Sequence, residues 1–289
     1  MTAGCLEFVK ISTDIMKLNT PGKLNRIGKL ITPTLGRMVA TRRATGLIEL
    51  SSAYLNCLIG KGSGTGWDKG EELAAARMIQ RKNPVILDMG ANQGDWTSEV
   101  QRLIGTHGRW LLVEPSAECC ARLRKLPGIE VIEAAVGEQA GKAVLYTPGN
   151  ENILASLHER RDSLVRGQVS TRCEVRVTTI DEILAERNIE LVDLAKMDLE
   201  GHELFALRGA VRSLERQRLR ALTFEFGVAN VNSRTFFRDF WDLLTGFGYR
   251  IERIHPGGKM VPVTEYYEDL EFFRGVTNYA ALAPQKTGR

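Results

Sequence analysis

Val85-Ile-Leu-Asp88-Met-Gly90-Ala-Asn92-Gln-Gly94-Asp95 is the stretch on which the reading of this chain turns. It opens with a short apolar, β-branched run, a strand signal, and the glycines and asparagine that follow are turn residues. A helical pattern comes next, over 95–104. A strand that turns through two glycines into a helix aims backbone N–H groups and the positive end of the helix dipole at whatever lies above the sheet edge. Gly90 and Gly94 allow positive φ and the close approach of a ligand that a Cβ would block. An ordinary strand-to-helix turn usually needs one glycine, so the pair favours a ligand loop.

Outward from this loop the chain alternates strand and helix, which predicts a doubly wound, mostly parallel α/β sheet. Strands are expected over 110–114, 130–136, 173–177, 194–198, 221–225, 249–254 and 278–283, with an extra strand over 142–147 beside the third. Helices are expected over 73–79, 180–187 and 236–244, and Ser116 is the expected N-cap of another. Phe237, Phe240, Trp241 and Phe247 recur at helical spacing and read as core. Lys61-Gly-Ser-Gly-Thr-Gly66 reads as a flexible connection. It lacks the strand and the Gly-Lys-Ser/Thr ending of a phosphate loop.

Glu114 ends the second strand, 24 residues after Gly90. In sheets of this class an acidic residue at that place accepts hydrogen bonds from the ribose of an adenosine-bearing cofactor. The loop has no G-x-G-x-x-G spacing, which counts against NAD and leaves a nicotinamide-dependent oxidoreductase as the alternative function. Downstream, Asp193-Leu-Ala-Lys196-Met-Asp198-Leu-Glu200-Gly201-His202-Glu203 crowds ionisable groups at the carboxyl end of a strand. Like charges in one place raise one another's pKa and suit a general base.

With these residues the chain resembles the FkbM family of methyltransferases, over about 84–283. The segments that carry the resemblance are Asp88-Met-Gly-Ala-Asn-Gln-Gly94, Glu114-Pro115, Ala135-Val-Gly137, Ser156-Leu157, Val177-Thr-Thr-Ile-Asp181, Lys196-Met-Asp-Leu-Glu-Gly-His-Glu203 with Leu207 and Gly209, and the Glu225 strand. Ile180, where the family often has leucine, is a minor departure. The resemblance implies a class I, Rossmann-like methyltransferase fold with a seven-stranded sheet, S-adenosyl-L-methionine as cofactor, and transfer to a hydroxyl of a small molecule, sugar or glycan. On that reading Gly90, Asn92 and Gly94 contact the cofactor's amino-acid end, Asp88 supports the loop, Glu114 holds the ribose, and 134–136, Ala135 included, line the adenine. Asp198 sits nearest the methyl, His202 or Glu200 accepts the proton, and Glu225 supports them. Asp198, Glu200 and Glu225 with His202 would equally suit a magnesium ion. The loop carrying Asn150, Asn152 and Ser156 is expected to cover the acceptor side.

Composition bounds the remaining options. The 289 residues are 43% hydrophobic and 26% charged, as in a globular protein rather than a disordered or collagen-like one. The net charge of +4 is uneven: residues 1–66 hold nine basic and three acidic side chains, and the remainder 30 and 32. This divides the chain into a basic helical extension, 1–66, and a slightly acidic methyltransferase domain, 67–289. The extension is expected to dock on its acidic neighbour, on a second copy as a homodimer, or on an anionic acceptor or membrane surface. It is the sole support for a nucleic-acid methyltransferase, whose Asn-Pro-Pro-Tyr signature is missing, so no nucleic-acid partner is expected. A non-catalytic cofactor-binding protein is disfavoured by the presence of both loop and acidic cluster. Five cysteines without CxxC spacing, and no secretory pattern, point to a reducing cytoplasm.

Overall fold

The computed structural model describes residues 24–64, 69–149 and 152–284. The first 23 residues, Gly66 and Asn150 lie outside the described residues. By its internal contacts the chain divides into Met1–Tyr54 and Leu55–Arg289. In the first unit α1 spans Leu24–Val39, with Pro33 inside it, and α2, Arg42–Leu58, begins. Leu47, Ile48, Leu50 and Tyr54 are exposed along α2. No helix among the described residues is long and apolar enough to cross a membrane.

The strands of the second unit are β1 Val85–Met89, β2 Arg109–Glu114, β3 Ile129–Glu133, β4 Ala135–Val136, β5 Gly141–Pro148, β6 Ser170–Thr178, β7 Leu194–Met197, β8 Ala221–Gly227, β9 Arg250–Ile254, β10 Met260–Pro262 and β11 Val276–Leu282. Eight of them form the main sheet, in the order β10-β9-β11-β8-β7-β1-β2-β3. The run β3-β2-β1-β7-β8 is parallel, and β11 lies antiparallel between β8 and β9. Strand order reverses between β1 and β7, so a crevice opens at their carboxyl ends, where open α/β sheets bind ligands.

Two-residue alternation sends successive side chains to opposite faces. Leu87, Met89, Leu111, Val113, Met197, Phe224 and Phe226 face a core that includes Phe237 and Phe240 from the helix Phe237–Gly246. Trp241 and Phe247 pack against the same core, as their spacing predicted. Ile86, Trp110, Leu112 and Leu194 face the other way, onto Leu73, Ala76 and the Trp96 and Val100 side chains of α3, Asp95–Ile104. Each such fully buried large side chain stabilises by about 1.5–3 kcal/mol relative to exposure. With both faces covered, the central strands carry near-continuous apolar runs.

The structure corrects several expectations. The main sheet has eight strands rather than seven, because β10 adds to the outer edge beyond β9. The strand expected over 130–136 is two: the chain leaves the main sheet after Glu133, and β4 pairs with β6. β5 also pairs with β6, so the extra strand belongs to a separate three-stranded sheet and does not lie beside β3. The apolar run at 73–79 buries its small residues as a turn plus the single 3-10 turn Ala76–Met78, not a full helix. The Lys61–Gly64 stretch is not a loose connection. Gly62 N–H donates to Thr277 Oγ1 at 2.9 Å, Gly64 N–H to Val276 O at 2.8 Å, and Lys61 Nζ to Asp269 O at 2.7 Å. A Cβ at Gly62 would stand 2.4 Å from Arg274 O, so its glycine serves close packing rather than flexibility.

Candidate active site

The loop from β1 to α3 is held from below and behind. Gly90 and Ala91 donate N–H to Val113 O at 2.9 and 3.2 Å. Asn92 sits at φ 47°, in the left-handed region that asparagine tolerates, and Gly94, at φ 85°, caps α3. A Cβ at Gly90 would lie 1.9 Å from Asp198 O, so the loop and the end of β7 touch through backbone alone.

Glu114 is the residue that supports this loop. Its buried carboxylate accepts Asn92 N–H at 2.9 Å and Ser116 N–H at 2.8 Å. Burial pushes its pKa up against those two donors. Ser116 in turn caps α4, Ala117–Leu123, by accepting Cys119 N–H at 3.4 Å. Asp88, expected under the loop, instead anchors α3: Oδ2 accepts from Thr97 Oγ1 at 2.6 Å, and Oδ1 stands 3.7 Å from Lys196 Nζ. Burial raises Asp88, with Lys196 and Thr97 opposing it. Burial also pulls Lys196 down, but Asp198 and Asp88 outweigh it and hold the ammonium above its usual range.

Two cavities flank this junction, and Gly90, Asn92, Ile153 and Asp198 line both. The first, of about 110 Å³, is a slot between Glu114–Pro115 and Ala134, Ala135 and Val136, with Leu157, Glu200 and His202 closing it. The second, of about 380 Å³, extends over Lys196, Thr223, Glu225 and Asn278. A larger cavity of about 550 Å³, beside Asp193 and Arg220, opens at the opposite, amino-terminal ends of the parallel strands, away from the loop.

The catalytic quartet expected from sequence is therefore split. Asp198 lines both cavities, Glu200 and His202 only the first, and Glu225 only the second. Glu200, at φ 50°, is gripped by the Arg160 guanidinium, which also chelates Asp162 at 2.8 and 3.1 Å. Burial and nearby Asp198 push Glu200 up to about 8, with Arg160 pulling against them. His202 Nδ1 lies 2.9 Å from His158 Nε2, and its ring stacks on Phe205. Burial, then His158, lowers His202 to about 3, which favours its neutral ring. Glu203 accepts Leu199 and Gly201 N–H at 2.8 and 3.2 Å, bracing the turn, and burial lifts it to about 7.

The magnesium reading does not fit this donor set. Asp198 Oδ2 is committed to Lys196 at 3.0 Å and Glu200 to Arg160, while Glu225 lies in the other cavity from Glu200. Among the described residues no group of three or more His, Cys, Asp or Glu is placed to hold a metal ion.

Sequence reasoning missed Arg160, His158, Asn278 and Glu71. Arg160 and His158 sit in the long polar loop at 148–168, whose length was the available signal. Asn278 lies directly opposite Glu225 in the β8–β11 register, a pairing that needs the antiparallel return of β11. Ser156, expected to cover the acceptor side, donates instead to Glu200 O at 2.8 Å and lines the first cavity.

The doubly wound sheet with its glycine loop at the strand reversal defines a fold of the class I methyltransferase type. The chain belongs to the FkbM methyltransferase domain family, whose model matches residues 88–251. It is similar to the 2-O-methyltransferase NoeI of Sinorhizobium fredii, with 24% identity over 157 residues, 49% of this chain and 63% of that protein. Among solved structures it is similar to methyltransferase FkbM from Methylobacillus flagellatus, with TM-score 0.45, 17% identity, and 71% of this chain and 45% of that one covered. It is also similar to Aeropyrum pernix fibrillarin, solved with natively bound S-adenosyl-L-methionine, with TM-score 0.39, 16% identity, and 73% and 74% of the two chains covered. The chain thus spans 63% of the length of the curated relative and 45% of that of the FkbM structure.

Proposed function

We propose that the chain is an S-adenosyl-L-methionine-dependent O-methyltransferase acting on a hydroxyl of a small molecule, sugar or glycan. The observation that carries this is the cradle at Gly90. There the loop meets Asp198 through backbone alone, beside a narrow slot floored by Ala134–Val136. These residues fit an adenosine-bearing sulfonium. Gly90, Asn92 and Gly94 would hold its amino-acid end, Glu114 the ribose through the lone pairs left by two N–H donors, and Ala134, Ala135 and Val136 the adenine face. The cofactor, when bound, supplies a methyl already activated for in-line attack. The chain's own task is then to align an acceptor oxygen and take its proton. Transfer to oxygen is supported by the similarity to NoeI, a 2-O-methyltransferase.

Titration calorimetry with S-adenosylmethionine, S-adenosylhomocysteine and NAD tests the reading. Both sulfur compounds should bind one per chain and NAD should give no heat; binding of NAD alone would overturn it.

A further inference from the structure

The second cavity has a polar floor set by strand register. In the β7–β8 pair Lys196 lies opposite Thr223, and in the β8–β11 pair Glu225 lies opposite Asn278. Thr223 and Glu225, two residues apart, share one face of β8. Beside Asn278, buried Glu71 accepts from Ser63 Oγ at 3.0 and 3.1 Å and from Asn278 Nδ2 at 3.2 Å. Glu71 and Asn278 both lie outside residues 88–251, so this half of the crevice draws on chain beyond the matched family domain.

Charge and hydrogen bonding distinguish Glu225 from its neighbours. Lys196 is held by Asp198 at 3.0 Å and stands 3.7 Å from Asp88. Glu200 has Arg160, and Glu114 has two backbone donors. Glu225 is half-buried where it lines the cavity and accepts no hydrogen bond from any described residue. Its oxygens are therefore open to a donor that a ligand in the cavity supplies.

We propose that this cavity is the acceptor subsite, that it takes an uncharged polyhydroxyl compound of the sugar class, and that Glu225 accepts the proton of the hydroxyl being methylated. The inference rests on the cofactor reading above. Asp198 and Glu225 offer acceptors, which hydroxyl donors complement, and the carboxylates lining the cavity outnumber Lys196, which disfavours phosphate and carboxylate groups. Asp198 lines both cavities and so marks where methyl and acceptor oxygen meet. As the oxygen–methyl bond forms, the sulfur–methyl bond breaks and sulfur keeps its electron pair. The hydroxyl proton passes to the Glu225 carboxylate, leaving a neutral methyl ether and the thioether form of the cofactor. Glu200 and His202 are spared this role by their partners Arg160 and His158.

The test uses saturation-transfer NMR on the full chain saturated with S-adenosylhomocysteine. The probes are the methyl α-glycosides of glucose, galactose, mannose, fucose, rhamnose and xylose, with glucose 6-phosphate and 1-hexanol as charged and apolar controls. A neutral glycoside should receive saturation, and neither control should. Glu225→Ala and Asn278→Ala should weaken that signal about ten-fold, the scale of one lost hydrogen bond to the ligand. Their S-adenosylhomocysteine heats should stay unchanged. Glu225→Gln should keep glycoside binding yet slow methylation of the bound glycoside by about 100-fold or more. S-adenosylhomocysteine binding without any glycoside signal would overturn this inference alone, as would glycoside binding indifferent to both alanine variants or full turnover in Glu225→Gln. A wild type that fails to bind S-adenosylhomocysteine would overturn the cofactor reading beneath it.

Discussion

On the adenosine side of Asp198, Glu114 takes two backbone N–H groups and Glu200 takes a buried arginine. On the far side, Glu225 takes no donor from the described residues and faces the second cavity. The same side-chain chemistry thus does two jobs. A carboxylate satisfied by the protein fixes the shape of a turn, whereas one left open is available to what enters. The comparison also explains why crowding in sequence is a poor guide to catalysis. Glu200 and His202 lie within four residues of Asp198 and are engaged by Arg160 and His158, while Glu225 comes from another strand.

The largest effect should come from breaking the satisfied side. Arg160→Met leaves Glu200 and Asp162 without their shared cation and should lower unfolding stability by about 3–5 kcal/mol, read by urea denaturation. A loss under 1 kcal/mol would mean those carboxylates are in effect solvated. Next comes Gly90→Ala at the seam between the cavities. A Cβ there meets Asp198 O at 1.9 Å with φ at 77°, so loop and β7 must part. Strain and overpacking together should cost about 2–4 kcal/mol. Calorimetry should also show S-adenosylhomocysteine binding weakened at least about 100-fold, since a misplacement near 1 Å has that scale. Retained binding would detach the loop from the cofactor.

The satisfied side was the more legible one. The β1 loop and the ends of β2 and β7 are local patterns, with alternation, turn glycines and a terminal acid, and each structural assignment rests on residues near in sequence. Glu114 was found this way, though its two N–H partners show it bracing the loop that Asp88 was expected to support. The partners that settle charge are distant: Arg160 reaches Glu200 across 40 residues and His158 reaches His202 across 44. Asn278 meets Glu225 only because β11 returns antiparallel into the middle of the sheet. The Lys61–Gly64 stretch was misread for the same reason. Glycines in a row of polar residues look like slack, and the approach of Arg274 to Gly62 and of Val276 to Gly64 is invisible in one dimension.

Two smaller perturbations sharpen the contrast. Thr97→Val removes the hydroxyl that donates to buried Asp88 and should cost about 1–3 kcal/mol. Because Lys196 then has to neutralise Asp88 as well as Asp198, the loss should also reach the second cavity as weaker glycoside saturation transfer. A stability change without that loss would separate the two.

The smallest effect is a slope in pH. His202 titrates at about 3 in the folded chain against 6.5 for a free imidazole, with burial the main cause. Between these values the unfolded chain holds a proton that the folded chain lacks, so acidification through this window favours unfolding, by about 1 kcal/mol per pH unit. His158 is lowered by burial and acts in the same direction. Glu203, raised to about 7, acts oppositely: its folded form keeps a proton that the unfolded chain releases above 4.5, so its contribution improves as pH falls from 7 toward 4.5. Total stability therefore mixes signs, and the informative quantity is the difference between wild type and His202→Gln. That difference should shrink steadily from pH 6.5 to pH 4.5 as the wild type alone loses the histidine contribution. A difference that stays flat would place the His158–His202 pair in water and return His202 to the set of groups free to accept a proton.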